Sequence, residues 1–395
     1  MNLEKQNITQ QVQKIIEEIK NFGDDAVVKY TQIFDKTENF TKDDIKLRIL
    51  QPPKIKDKDF ISSVTFAIQN IKKFHSEELK NLKRYWSTKY NNLTAGQKYV
   101  PVDSVGVYIP GGRYGYNYIS TLLMTVIPAK IAGVKKIVVA TPPKNVTEYF
   151  LYTAYKLGLK EIYKVGGVQA IASLACGTQT IPKVDMIVGP GNVWVTEAKR
   201  QLIGVVGIDL LAGPSEVAVV ADKYSDLEKV AFELLAQAEH DKDAKSYLIS
   251  LDEDFARKIR AYINNIAKEL SDQIEIIFEP KIKKVIETIN KIAPEHLTLF
   301  TKKQTEIIKN IKNAGAIFYG ENPSAVFGDY IAGPSHVLPT NTSARFSSGI
   351  CVASFLKKIS IVKFTKTSTK LLSKPSSKLA ETEGMFWHKK RVDSG

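Results

Sequence analysis

Only five histidines occur in 395 residues, and two of them directly follow a glutamate, in Glu239-His240 and Glu295-His296. Histidines beside carboxylates are what a metal site or an acid/base pair needs. Gln237 and His240 are spaced i, i+3 at the end of a helical pattern, so both can turn toward one ion. The same spacing also suits a polar cluster bonded to the last carbonyls of a helix. Glu295 and His296 follow Pro294 and enter a strand, where adjacent residues point to opposite sides. The pair can therefore serve two successive proton transfers rather than one atom. Asp329, between Gly328 and Tyr330, has the loop setting of an acidic ligand or of a turn aspartate. His336 lies in a loop of small residues and His388 on a final helix beside Lys389 and Lys390. A turn histidine and a surface histidine are their plainer readings. His75 closes a lysine-rich helix and reads as structural.

Three glycine turns come next: Pro110–Gly112, Gly166–Gln169 and Gly189–Asn192. Each sits between a strand pattern and a helix pattern, where backbone N–H groups can approach a phosphate. None has the G-x-G-x-x-G spacing, and any one alone is an ordinary turn. Three on one set of βα units carry more weight, since ligands bind at the carboxyl ends of such strands.

The elements that must position these residues follow from hydrophobic periodicity. Val12, Ile15, Ile16, Ile19 and Phe22 define an amphipathic N-terminal helix that Gly23 stops. Helices over Asp25–Phe34 and Phe60–Phe74 follow, parted by Pro52 and Pro53. From Ser104 strands alternate with helices: Val105–Ile109, Lys136–Ala140, Glu161–Val165 and Met186–Val188 are strands. A second alternating set has strands at Glu216–Val220, Ser246–Leu251, Ile274–Phe278, His296–Phe300 and Gly315–Tyr319. Alternation of this kind predicts parallel sheets with helical crossovers. The tail from Lys366 is rich in Ser, Thr and Lys before a helix over Lys378–Lys390.

Composition narrows the class. A hydrophobic content of 44% and a charged content of 25% are those of a soluble globular chain, long enough for about two to three domains. No run of about 18 apolar residues appears, and the N-terminus lacks the layout of a signal peptide, so a cytoplasmic protein is expected. Cys176, in a helical run, and Cys351, in a predicted strand, read as buried free thiols. The net charge of +14 could signal nucleic acid or an anionic cofactor. The lysines are scattered among glutamates, which speaks against a nucleic-acid stripe.

Taken together, ordered motifs over almost the whole chain, from Phe22 to His388, resemble the histidinol dehydrogenase family. They are Tyr108–Gly112, Gly166–Ile171, Ile187–Asn192, Ala212–Glu216, Gln237–Asp241, Ala293–Leu297, Gly328–Tyr330, Ser335–Thr340, Ala344–Gly349, and Glu383-Gly384 with His388. The resemblance implies NAD-dependent oxidation of L-histidinol through L-histidinal to L-histidine on two incomplete Rossmann-like domains. Carried over motif by motif, Gln237, His240, Asp329 and His388 would bind zinc, a set that manganese or cobalt could also occupy. His296 would take the hydroxyl proton and Glu295 would activate water. Ser215, His336 and Glu383 match substrate-contacting positions, shared with the metal ligands and His296. Tyr108, Gln169 and Asn192 match NAD-contacting ones. The family forms a homodimer with intertwined tails, so Glu383 and His388 would come from the neighbouring subunit. The expected division is a helical segment over 1–22, a substrate and metal domain over 23–102 with 214–350, an NAD domain over 103–213, and a swapped tail over 351–395. Two departures stand out: a longer, more aromatic loop after Gly112, and Asn341-Thr342 where a Gly-Gly pair is usual. The rival readings are a paralogue acting on another amino- or sulfo-substituted alcohol and, from another class, a basic nucleic-acid-binding protein on the same fold.

Overall fold

A computed structural model describes residues 2–111 and 118–395; Gly112 and residues 113–117 of the lengthened loop lie outside the described residues. The chain opens with α1 (Asn2–Phe22) and α2 (Asp24–Asp35), then β1 (Lys46–Arg48), α3 (Lys58–Asn81), and the hairpin β2 (Tyr85–Tyr90) and β3 (Leu93–Pro101). The first alternating set is β4 (Ser104–Tyr108), α4 (Ile119–Ala132), β5 (Lys136–Thr141), α5 (Glu148–Lys156), β6 (Glu161–Lys164), α6 (Gly167–Cys176), β7 (Met186–Val188), α7 (Val193–Leu202) and β8 (Gly207–Ile208). The second is β9 (Glu216–Ala221), α8 (Leu227–Ala238), β10 (Lys245–Ser250), α9 (Glu253–Ile266), β11 (Ile274–Phe278), α10 (Ile282–Ile292), β12 (His296–Leu299), α11 (Gln304–Asn310) and β13 (Ala316–Phe318). A short helix, α12 (Ala325–Tyr330), then β14 (Leu356–Lys363), α13 (Lys366–Thr382) and α14 (Phe386–Asp393) complete the chain.

The architecture is α/β with two parallel sheets. Strand order is β1-β6-β5-β4-β7-β8 in one, β1 being an antiparallel edge strand, and β11-β10-β9-β12-β13 in the other. Counted by chain order within each set, both read 3-2-1-4-5. Their strands are apolar on both faces, as parallel strands covered on both sides must be. In the first sheet Val105, Val107 and Val139 pack toward α3, α4 and α5, while Tyr108, Val138 and Ala140 pack toward α1, α2, α6 and α7. In the second, Val217 and Val219 face α8 and α9, and Leu297 and Leu299 face α10 and α11. Among the described residues no helix is long and apolar enough to cross a membrane.

Several expectations are corrected by the packing. Short β1 joins the edge of the first sheet, where it pairs antiparallel with β6. The buried faces of α1, α2 and α3 likewise pack on the first sheet. Short β1 and the hairpin carried too little periodicity to be read. β14, also unpredicted, pairs with β3 to make a three-stranded antiparallel sheet with β2. Cys351 precedes that strand, as the N-cap of a short 3₁₀ turn, and both cysteines are half-buried. The predicted tail helix is broken at Gly384, whose φ is +70°. His75 is fully buried, with Nδ1 2.8 Å from a Glu78 carboxylate oxygen that also accepts from Val352 N–H. Asn341 and Thr342 keep a left-handed turn, with φ of +51° and +66°. Glycine adopts that region freely, asparagine tolerates it, and threonine does so under strain.

Gly189, at the carboxyl end of β7, shows how firmly a loop can be set. Its φ is +117°, and a Cβ there would lie 2.1 Å from the Tyr108 carbonyl oxygen. Its N–H donates to Asp209 at 2.8 Å, and its carbonyl accepts from Lys199 Nζ at 2.5 Å. Lys199 and Asp209 are themselves ion-paired at 2.7 Å with almost no exposure. Gly189→Ala is therefore expected to destabilise the fold by about 3 kcal/mol, read as a lower midpoint in urea at unchanged slope.

Candidate active site

The second sheet sets its chemistry at the amino ends of its strands. Glu295 immediately precedes β12 and His296 opens it, opposite Val217 of β9. One residue earlier, the Glu216 peptide lies between the two side chains. Its N–H donates to Glu295 Oε2 at 3.0 Å, and its carbonyl accepts from His296 Nδ1 at 3.4 Å. His296 Nδ1 is 3.9 Å from Glu295 Oε2, and Nε2 is 3.4 Å from Asp329 Oδ1. Glu295 and His296 are both buried.

Burial fixes the proton affinities. Desolvation pushes the Glu295 carboxyl up to about 7, against the pull of His296 and of the Glu216 N–H. Burial alone would lower His296, but the carboxylates of Glu295 and Asp329 outweigh it and raise the ring to about 9. Asp329 is held below the usual range: burial opposes this, and the charges of His296, His336 and His240 overcome it. The site is thus a compact set of coupled acids and bases, not an isolated dyad.

Gln237 and His240 approach from α8, which leaves the carboxyl edge of β9 and returns to the amino edge of the sheet. Gln237 is buried near the helix end, with its amide nitrogen lacking a hydrogen-bond partner. His240 is exposed just beyond it, its N–H bonded to the Gln237 carbonyl at 3.2 Å. His240 is close enough for its charge to act on Asp329, so three expected ligands face one region. An amide oxygen, an imidazole and a carboxylate form a nitrogen/oxygen donor set suited to zinc. Among the described residues no group of three His, Cys, Asp or Glu is placed so that it could hold a metal ion by itself. His388 lies exposed on α14 and Glu383 just before it, after α13. Ser215 sits at the entry to β9, half-buried, with its carbonyl accepting from Lys245 N–H.

His336 spans the two halves. Its Nδ1 donates to the Asp329 carbonyl at 2.8 Å, and Nε2 lies 2.8 Å from the hydroxyl of Thr121 on α4. With Nδ1 as donor and burial lowering the ring's proton affinity, Nε2 accepts from Thr121. Both nitrogens are engaged, so His336 meets its surroundings here by holding the Asp329 backbone. Thr121 was not found from sequence. One hydroxyl in an apolar helix carries no signal until its partner is known.

At the first sheet, Tyr108 and Gln169 are buried at the carboxyl edge. The Tyr108 oxygen accepts from Gly167 N–H at 3.1 Å, and burial pushes its phenol up to about 12. Both amide atoms of Gln169 are buried without a partner, as for a group awaiting a polar ligand. Asn192 caps α7, accepting from the N–H groups of Trp194 and Val195.

Comparison with known proteins identifies the family and the fold. The family model described as histidinol dehydrogenase matches residues 1–394. A histidinol dehydrogenase of Carboxydothermus hydrogenoformans is 39% identical, over 97% of this chain and 93% of that one. One from Oceanobacillus iheyensis is 40% identical, over 98% and 92%. The crystal structure of histidinol dehydrogenase from Elizabethkingia anophelis superposes with a TM-score of 0.87 at 36% identity, covering 98% of this chain and 91% of that one.

The contact between Thr121 and His336 can be measured directly. Thr121→Val and His336→Ala are expected to be non-additive by about 1 kcal/mol in a double-mutant unfolding cycle; simple additivity would mean that the hydroxyl does not serve the ring.

Proposed function

This chain belongs to the histidinol dehydrogenase family, and we propose that it oxidises L-histidinol through L-histidinal to L-histidine with two NAD⁺, the substrate held on one zinc ion. The observation that carries the chemistry is the grouping of Glu295, His296 and Asp329 around the Glu216 peptide. His296 takes the alcohol proton in the first oxidation. Its Nδ1–H is committed to the Glu216 carbonyl, which leaves Nε2 to accept. Asp329, once engaged with a cation, ceases to draw that proton onto the ring beforehand. Glu295 takes a proton from the water that adds to the aldehyde carbon. A carboxyl raised to about 7 is a base matched to that task near neutrality.

Bound by Gln237, His240, Asp329 and His388 of the partner subunit, zinc would hold the substrate's amine and imidazole nitrogens, and the nicotinamide would take the hydride. Ser215 and Glu383 complete the substrate's contacts, and His336 supports them from behind through Asp329. In this reading the two 3-2-1-4-5 sheets are incomplete Rossmann-like units. The first receives the dinucleotide at Tyr108, Gln169 and Asn192, where the buried unpartnered amide of Gln169 supports the assignment. The homodimer is supported by apolar side chains left in solvent on the β2-β3-β14 sheet and the tail: Tyr85, Trp86, Phe364, Leu379, Phe386 and Trp387. The enzyme is assigned to the cytoplasm, where free thiols such as Cys176 and Cys351 persist.

The reaction predicts two NADH formed per histidinol consumed. In Glu295→Gln, oxidation of supplied histidinal should slow more than the first hydride step, and equal slowing of both would remove the water-activating role. The shared site is tested by mixing. His388→Ala and Glu295→Gln are each expected to be nearly inactive, and co-refolding them should restore activity, because one site of the mixed dimer is then intact. No recovery, with mixed dimers verified by mass, would place His388 in its own subunit's site or outside the site altogether.

A further inference from the structure

We infer that Glu233 is a positioning residue for the metal and base cluster, its buried carboxylate locking the helix that bears Asp329 onto the helix that bears Gln237 and His240. The inference rests on the proposed reading of those three residues as metal ligands. Glu233, Gln237 and His240 stand at i, i+4 and i+7 in and just beyond α8, along one face. Glu233 Oε1 accepts from Thr298 Oγ1–H at 2.7 Å and from Ala325 N–H at 2.6 Å, and Oε2 accepts from Ser324 Oγ–H at 2.7 Å. These three donors come from two further site-bearing elements. Thr298 is two residues along β12 from His296, hence on the same side of the strand. Ser324 and Ala325 are the N-cap and first residue of α12, and Asp329 is in that helix's last turn.

A six-residue helix cannot hold its own shape or place in water. α12 is fixed from outside at both ends, by Glu233 at its start and His336 at its finish. Glu233 is only 6% exposed, and its three donors, Thr298, Ser324 and the Ala325 N–H, are all uncharged. Burying a carboxylate without a cation is costly. Here the cost is offset by three donated hydrogen bonds and by the positive end of α12. An apolar side chain at this point would pack as well, yet could not set the distance between α8 and α12. The geometry therefore points to ligand spacing as the use of this charge.

The test is zinc titration of metal-stripped, full-length protein against a competing chelator, without substrate or cofactor. Glu233→Ala should raise the zinc dissociation constant about 10- to 100-fold, with KM for NAD within about twofold of the parent. Glu233→Gln, which keeps one acceptor oxygen, and Ser324→Ala, which removes one donor from the opposite side, should each give a smaller rise. A defect confined to global stability would lower the melting temperature and leave zinc affinity in the folded protein unchanged. If Glu233→Ala does not fold, the other two variants decide the matter. Parental zinc affinity in both Glu233→Gln and Ser324→Ala overturns the inference. Asp329→Ala separates the two levels: full metal retained there defeats the ligand reading itself, whereas metal lost there but kept in the Glu233 and Ser324 variants defeats only the role of Glu233.

Discussion

The pairing of β9 with β12 is the constraint on which the site depends. His296 lies opposite Val217, so the Glu216 peptide falls where it can grip Glu295 with its N–H and His296 with its carbonyl. In that register His296 and Thr298 face α8, while Leu297 and Leu299 pack toward α10 and α11. A slip by one residue would exchange the two sets. It would turn two leucines toward polar partners and a histidine into an apolar layer. The same apolar burial that stabilises the sheet therefore fixes which way the proposed base points, with no separate device required.

Charge is buried at several points, and each time a loop is held by it. Glu295 takes the N–H of Glu216, Glu233 that of Ala325, and Asp209 that of Gly189. Such charges are expensive to desolvate, and apolar replacements are often as stable. Their common feature is placement where a strand or short helix meets irregular chain that has no core of its own. Directional acceptors can define a loop's position to a few tenths of an ångström, which area burial does not. The Glu216 carboxyl itself is raised by burial, against the pull of Lys245 and of the Asn341 backbone at the strained 341–342 turn.

Much of this was legible in the sequence because it rested on local rules. The alternating strands and helices followed from periodicity. Among the scarce histidines, His240, His296 and His336 lie by the amino edge of the second sheet, near Gln237, whereas His75 and His388 lie elsewhere. What stayed hidden depended on distant partners. β1 is three residues long and exists through β6. β14 exists through β3, and the exposed β2 has no buried face to make a pattern. His75 read as structural from sequence, but its partner did not: α3 turns it inward against Glu78. Glu233 and Thr121 sit in helices where a carboxylate or hydroxyl is unremarked until Ser324, Thr298 and His336 are known to face them.

The two edges also explain why one chain needs two similar sheets. Helices following parallel strands start at the carboxyl edge and finish at the amino edge. The carboxyl edge of the first sheet therefore gathers the N-termini of α4, α6 and α7, whose partial positive charge suits the proposed anionic dinucleotide. The amino edge of the second gathers the C-terminal end of α8, and α12 also ends there, so that Gln237, His240 and Asp329 sit where partial negative charge favours a cation. Thr121 and His336 link one edge to the other, as does Gly213 N–H bonded to the Thr340 hydroxyl. A single sheet would offer an anion-binding edge and a cation-binding edge on opposite sides of its own thickness. Two sheets set edge to edge bring unlike ends of their helices together, as the proposed transfer of hydride from a cation-held alcohol to a phosphate-held acceptor would require.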